Sequence, residues 1–599
     1  MKRILIFTTL ALVCAGIGRA AYEAAQPPQP PLSKYVPAGA LLYLEAQDLS
    51  SLLEDWNSSA EKKQWLATSN YEVFSRSRLF LRLKGASDQF AVAAGFPPNM
   101  NFLSQVAGTR SALALYDIGN LEFLYVTYLP SAKSMQTTLW QTRAKFEPRS
   151  AGGVTFYVRR DPESQKEVAF AVSGDYLLLA TREDLLAGAL QSMSEDATKN
   201  RIEARTIESE PWWSQSVASA GPAGDLRMVM NLEKIVPSPY FRTYWVQQNI
   251  TDMKQYSAAV SDLFRSNKEY REERVLLRKT SPPQTPAEGL ESVADLVRLI
   301  PESAGVYEAK ANPSADSCFD LIETKLLAPH LGPAPASETA PQVQLTSGET
   351  GSGSDLETRI DRAAVERPAA PQSTSALKDL FDKTQILASL QIQTTQIQTT
   401  QVQTSQTQST QSQSTERDQS EVFIRIHSAI VLTAASDWNE ATVQSALADF
   451  VRPGLTASRY GVEWQQKSGY AELDGLWPLA TSVRGRYLVV ADDPGLLDAI
   501  LANFKQKPNL KAAVLVAGFN HEREQSNFTR FAALVDRPSV AQFNGSANAN
   551  SNSNDRQPQF FAENVASLSR TLTAVSAERI MVRVEGDKVL QTVTYAWSR

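Results

Sequence analysis

Hydrophobic positions along this chain follow two alternating spacings. Short apolar runs, GALLYLEAQDL (39–49), RSALALYDI (110–118), LEFLYVTYL (121–129), GVTFYVRR (153–160), EVAFAVSG (167–174) and DYLLLAT (175–181), have the length and residue types of buried strands. Gly119-Asn120 between the second and third of these runs is a hairpin signature. Between the strands lie stretches with apolar residues three and four apart. Leu49, Leu52, Leu53 and Trp56 predict one helix, the segment 131–146 with Met135, Leu139 and Trp140 another, and 182–193 a third. DLRMVMNL (225–232) and RVLLRK (274–279) read as strands. The segment 252–270 reads as a long helix carrying Met253, Tyr256, Val260, Leu263 and Phe264 on one side. Strands joined by tight turns and interspersed with helices predict an α+β fold, a mainly antiparallel sheet with helices packed on one face.

The pattern then returns. SGDYLLLATREDLLAGAL (173–190) reappears as VRGRYLVVADDPGLLDAIL (483–501), with Gly174 over Gly485, Tyr176 over Tyr487, and Leu185-Leu186 over Leu496-Leu497. YVPAGALLYLEA (35–46) is echoed by LIPESAGVYEAK (299–310), pairing Pro37 with Pro301 and Tyr43 with Tyr307. The segment 428–450 echoes the strand and helix around Leu124 to Phe146, and SAERIMVRV (576–584) echoes REERVLLR (271–278), Glu273 over Glu578 and Arg274 over Arg579. Four echoes in one order predict a tandem duplication into two related lobes.

The expected plan is a signal peptide at 1–20, a Pro-rich spacer at 21–34 and a first lobe at 35–280. A connector follows at 281–298, then a second lobe at 299–331 and 421–599, interrupted by an insert at 332–420. The insert is rich in Gln, Thr, Ser and Pro, and from Gln391 to Thr415 it repeats a five-residue unit, QIQTT to QSQST. Such a tract buries too little apolar surface to offset its ordering entropy, so disorder is expected. Only the first units, with Ile392, Ile397 and Val402, alternate in a way that suits a short strand. A second polar loop is expected at 544–559.

Chemistry adds exclusions. Lys2 and Arg3 precede an uncharged run, Ile4 to Ile17, and small residues follow at Gly18 and Ala20, the layout of a secretory signal. That run is short of a bilayer span, so cleavage is the first expectation, retention as a membrane anchor the second, and a lipoprotein processed at Cys14, where Val13 stands in place of the favoured small residue, the third. The net charge of −6 leaves no positive excess for a nucleic acid or an anionic membrane surface. Cys318 is the one cysteine outside that N-terminal segment, which holds Cys14, so no intrachain disulfide is expected in the processed chain. The three histidines, His330, His427 and His521, have no partner at metal-ligand spacing, and no cofactor motif occurs, so neither metal nor cofactor is expected. Two SxxK matches, Ser59 to Lys62 and Ser375 to Lys378, lack the companion motifs of acyl-transfer enzymes.

The acidic pairs Glu183-Asp184 and Asp492-Asp493 both open predicted helices. Thr181 with Asp184, and Asp493 before Pro494, read as helix caps. Trp212 and Trp213, in the polar stretch EPWWSQS, are the candidate ligand or partner contacts, at least one of them expected to cover a core edge instead. The runs YVPAGALLYLEAQDLSSLLEDW and EVAFAVSGDYLLLATREDLLAGAL resemble the DUF3352-like family, bacterial envelope proteins that carry a domain of unknown function. The resemblance implies an extracytoplasmic bacterial protein, periplasmic or secreted, and supplies no catalytic residues. The expected function is non-catalytic: binding or scaffolding in the cell envelope with an unknown partner. The alternatives are a carrier of an apolar ligand held between sheet and helices, and a hydrolase whose site has no recognisable motif.

Overall fold

The computed structural model describes residues 30–67, 69–194, 205–240, 253–266, 268–280, 286–327, 376–401, 420–455, 463–473, 479–508, 510–525, 527 and 575–597. The expected signal peptide, His330, Ser375 and the polar loop at 544–559 lie outside these residues. The chain divides into two compact units, Met1–Lys62 with Phe74–Leu263 and Val275–Lys279, and Lys63–Val73 with Phe264–Arg274 and Thr280–Arg599.

The first unit is built on β1 (Leu42–Ala46), β2 (Arg110–Asp117), β3 (Glu122–Tyr128), β4 (Glu147–Ala151), β5 (Val154–Arg160), β6 (Glu167–Ser173), β7 (Tyr176–Ala180), β8 (Leu226–Met230) and β9 (Tyr256–Arg265), with β10 (Glu269–Arg278) beside β9. Its antiparallel order is β9-β8-β1-β2-β3-β7-β6-β5-β4. Tyr43 faces Ala114, which faces Leu124, which faces Ala180.

The second sheet comprises β11 (Val306–Ala311), β12 (Ile386–Gln401), β13 (Ser420–Ala434), β14 (Trp464–Gln466), β15 (Ala471–Leu473), β16 (Leu479–Arg484), β17 (Tyr487–Ala491), β18 (Leu515–Asn520), β19 (Val575–Glu585) and β20 (Lys588–Trp597). Its order is β20-β19-β18-β11-β12-β13-β17-β16-β15-β14, and Tyr307 faces Ile392, then Ala429, then Ala491. Counted from its own first strand, the second sheet has the order and the Tyr-centred register of the first. The β6–β7 and β16–β17 turns place Gly174 and Gly485 at φ of 56° and 57°, a left-handed backbone that favours glycine.

Each sheet is covered on both faces, not on one as the strand pattern predicts. On one face of the first sheet, α4 (Glu183–Met193) and α5 (Pro211–Ser219) bury Leu186, Leu190 and Trp213 against Tyr43, Ala114 and Leu178. On the other, α2 (Arg78–Ala94) and α3 (Met100–Val106), preceded by α1 (Leu49–Ser58), set Ala93, Phe102 and Val106 over Val168, Phe170 and Leu179. In the second unit α6 (Ala287–Val297) and α10 (Pro494–Ala502) cover one face, while α7 (Ala315–Ile322), α8 (Ala376–Asp382) and α9 (Glu440–Leu455) cover the other. The cause is in the strands. Leu177, Leu178 and Leu179 are all buried, which an alternating half-buried strand would not allow.

Further expectations change. Tyr256–Arg265 is the strand β9, not a helix, with Ala258 to Asp262 buried on both sides. The helix at 131–146 breaks into Ser131–Ser134, Thr138–Gln141 and a 3₁₀ turn at Arg143–Lys145. Leu32 of the expected spacer is buried in the first core. Most of the expected connector is α6, whose Val293 and Leu296 are buried in the second core. Part of the expected disordered insert is α8 and β12: Leu377 and Phe381 are buried, and Leu390 and Ile392 supply the apolar surface that the unit composition understates. The remainder of the insert, at 332–375 and 402–419, lies outside the described residues. Glu578 and Arg579 lie on β19, whose place in its sheet is that of β9. Glu273 and Arg274 lie on β10, so that echo pairs unlike strands.

Candidate functional site

A cavity of about 930 Å³ lies within the first unit, between the sheet face that carries Leu44, Leu113, Leu115 and Phe123 and the layer formed by α1, α2 and α3. Its size is at the upper end of small-molecule sites. Strand alternation shapes its floor. In β2, Ala112 and Ala114 point into the core under α4, while Leu113 and Leu115 point into the cavity. β1 does the same with Tyr43 and Leu44.

The roof is fixed by three capped helices. Asp48 accepts from the Ser51 N–H at 3.0 Å to start α1, Ser77 from the Phe80 N–H at 3.2 Å to start α2, and Asn99 from the Phe102 N–H at 3.0 Å to start α3. α2 stops at Gly95, whose φ of 81° is left-handed. The Tyr125 hydroxyl donates to the Val106 carbonyl at 2.9 Å and ties the end of α3 to the floor. Burial pushes the Tyr125 phenol above its ordinary range, so it stays a neutral donor.

Charge is confined to one end of the cavity, where the β2–β3 and β5–β6 turns meet the start of α4, and there it is balanced. Arg160 pairs with Glu167 at 2.7 Å, and Arg182 with Glu122 at 2.9 Å and Asp184 at 2.5 Å. The Glu183 N–H donates to Glu167 at 2.6 Å, and Lys166 donates to Asn120 at 3.4 Å. A large apolar interior with a charge-balanced rim suits an apolar guest and offers no placed nucleophile–base pair.

The second sheet differs at the same register. Where β1, β2 and β3 carry Leu44, Leu113, Leu115 and Phe123, β11, β12 and β13 carry Glu308, Gln391, Gln393 and Ser428. The correspondence closes at the next strand: the Thr181 N–H donates to the Phe123 carbonyl, and the Asp492 N–H to the Ser428 carbonyl.

The residues singled out by sequence lie elsewhere. Trp212 and Trp213 open the helix α5, not a loop, on the opposite face of the first sheet from the cavity. Trp213 is 7% exposed and meets Tyr43 edge-on at 4.8 Å, so it covers the core edge, as one of the pair was expected to. Trp212 is half-buried, edge-on to Trp213 at 6.0 Å. Tyr43 in turn donates to Glu45 at 2.7 Å, and Glu45 pairs with Arg110 at 2.7 Å.

Asp493 caps α10 by accepting from the Leu496 N–H at 2.8 Å, as its place before Pro494 predicts. Thr181 does not cap α4: its hydroxyl accepts from the Phe123 N–H at 2.9 Å, and Arg182 is the residue at the cap. Ser59 accepts from the Lys62 N–H, while Lys378 pairs with Asp316 at 2.7 Å. His521 is buried with Nδ1 2.9 Å from the Val575 carbonyl oxygen. Among the described residues, no group of three or more His, Cys, Asp or Glu side chains is placed to hold a metal, and no helix is long and apolar enough to cross a membrane. Sequence reasoning anticipated a ligand space between sheet and helices as an alternative but missed the residues that line it. The large–small alternation of Leu113 and Leu115 with Ala112 and Ala114 is the feature that marks it.

No family model matches the chain, and no curated protein matches it. Solved structures of TP0453 in crystal forms I and III are similar to part of it, each with a TM-score of 0.22 and 12% identity, covering 44% and 45% of this chain and 85% and 87% of theirs. Crystal form IV of TP0453 gives 0.21 and 12%, over 43% of this chain and 83% of its own.

Proposed function

We propose that the chain is a non-catalytic, extracytoplasmic binding protein of the bacterial cell envelope, and that its first unit carries an apolar ligand, an acyl chain, between sheet and helices. The cavity over Leu44, Leu113, Leu115 and Phe123 carries this reading. The N-terminal layout of basic start, apolar run and small residues supports export, and so does the resemblance to the DUF3352-like family. The two units are copies made by tandem duplication. Their shared strand order and register support that origin, and the change from Leu to Glu and Gln on one floor makes only the first copy a carrier.

Burying a methylene is worth about 0.8 kcal/mol, so about ten buried methylenes give the roughly 8 kcal/mol of a micromolar complex before ordering costs. The test is displacement of a fluorescent long-chain fatty acid from the full chain. Leu113→Trp, which fills the cavity from its floor, is expected to weaken binding at least about tenfold while Leu113→Val changes it little. Equal binding by Leu113→Trp, or no binding by the unaltered chain, would overturn the proposal.

A further inference from the structure

The helical layer over the cavity is unusual on its outer side as well. Among the described residues, Trp56 of α1 and Leu79, Leu81 and Val92 of α2 are large apolar side chains that are left exposed and do not line the cavity, with Leu81 at 56%. They coincide with a local concentration of positive charge. Between Arg76 and Lys84 the chain carries four basic residues and no acidic one. Arg78, Arg82 and Lys84 make no ion pair among the described residues, and Arg82 Nε is buried without a partner.

At about 100° per residue, Leu81 projects between Arg78 and Lys84, about 60° from each, while Phe80 lies edge-on to Phe74 at 5.5 Å. The first turn of α2 holds no acidic residue, and its one cation, Arg78, opposes the helix dipole. α4, by contrast, begins with Glu183 and Asp184. Arg78, which works against the helix it sits on, and Lys84 flank the exposed Leu81, an arrangement explained by an anionic, apolar partner outside the fold.

We infer that the start of α2 is a docking surface for an anionic lipid bilayer. Leu81 enters the acyl boundary while Arg78 and Lys84, on either side of it, meet lipid phosphates. A second copy of this chain is a poorer occupant, because a two-fold contact would bring the same cations against each other. The overall charge of −6 does not oppose this, since charges beyond a Debye length of about 8 Å are screened at physiological salt. The inference deepens the carrier reading by naming where the acyl chain is collected. Its surface observations stand apart from the cavity, however, because Arg78, Leu79, Leu81 and Lys84 do not line it.

The test is co-flotation of the full chain with vesicles of phosphatidylcholine, and of phosphatidylcholine containing phosphatidylglycerol. The unaltered chain is expected to float with the anionic vesicles, to stay behind with the neutral ones, and to be released by high salt. The double variant R78E/K84E is expected to bind at least about thirty-fold more weakly, and Leu81→Ser several-fold more weakly. Both should keep the fatty-acid displacement curve of the parent, which reports an intact fold and an intact cavity. Flotation without fatty-acid binding would remove the carrier reading and leave this one standing. An unaltered chain that ignores anionic vesicles, as a surface meant for a protein partner would, overturns the inference. So does floating of R78E/K84E as well as the parent.

Discussion

Asp262 lies in the middle of β9, buried, and its carboxylate grips Arg227 through two contacts of 2.8 Å while accepting from the Gly224 N–H at 3.1 Å. Removing one partner of such a pair leaves the other charge buried and alone, a loss of about 3–5 kcal/mol. Asp262→Ala is therefore expected to lower the denaturation midpoint of the first unit sharply, and a midpoint within error of the parent would refute the pairing. Cys318 makes the second case. It is buried and unbonded to another cysteine, and burial pushes its thiol from 9.0 to about 12. A thiol raised on folding contributes stability that is complete below pH 9 and fades as pH climbs toward 12. Alkaline titration of stability should show that slope in the parent and lose it in Cys318→Ala, and a thiol reagent should label Cys318 only on unfolding. Single residues were also where sequence reasoning was least secure. Trp212 and Trp213 sit in a polar stretch, yet Trp213 is held by Tyr43, 170 residues away, and nothing local encodes that contact.

Secondary structure was legible wherever one spacing dominated. The first-unit strands 110–117, 122–128, 154–160, 167–173 and 176–180, and the helix 183–193, lie where their patterns place them. It failed where two spacings fit at once. Met253, Tyr256, Val260, Leu263 and Phe264 satisfy a helical face, but Ala258 to Asp262 is a continuous buried run, which a central strand also produces. The glutamine repeat failed for a related reason. A five-residue unit is out of step with a two-residue period, so composition speaks for disorder although Leu390, Ile392 and Thr394 are buried along β12. That placement is testable. Ile392→Asn puts an amide into the second core and is expected to cost about 3 kcal/mol, whereas Gln391→Ser, one residue away on the other face, should cost under about 0.5 kcal/mol. Equal effects would mean that the strand does not hold this register.

For the whole molecule, repetition was easier to see than coverage. Echoes in the sequence point to two similar sheets, and the strand orders agree in every position, but the helical layer on the second face of each sheet is absent from the pattern argument. The layer at 78–106 escaped because its apolar residues are spread around α2 and not gathered on one side. That spread follows from a helix with two tasks, roofing a cavity with Leu83 and Phe90 and presenting Leu81 outward. The units part company at the floor of the cavity, so guest capacity should not double with the fold. The most direct measurement is native mass spectrometry of the full chain loaded with palmitate. One fatty acid per chain, abolished by Leu113→Trp, is the predicted result. Two per chain, none, or one that survives Leu113→Trp would contradict a carrier built on the first unit alone.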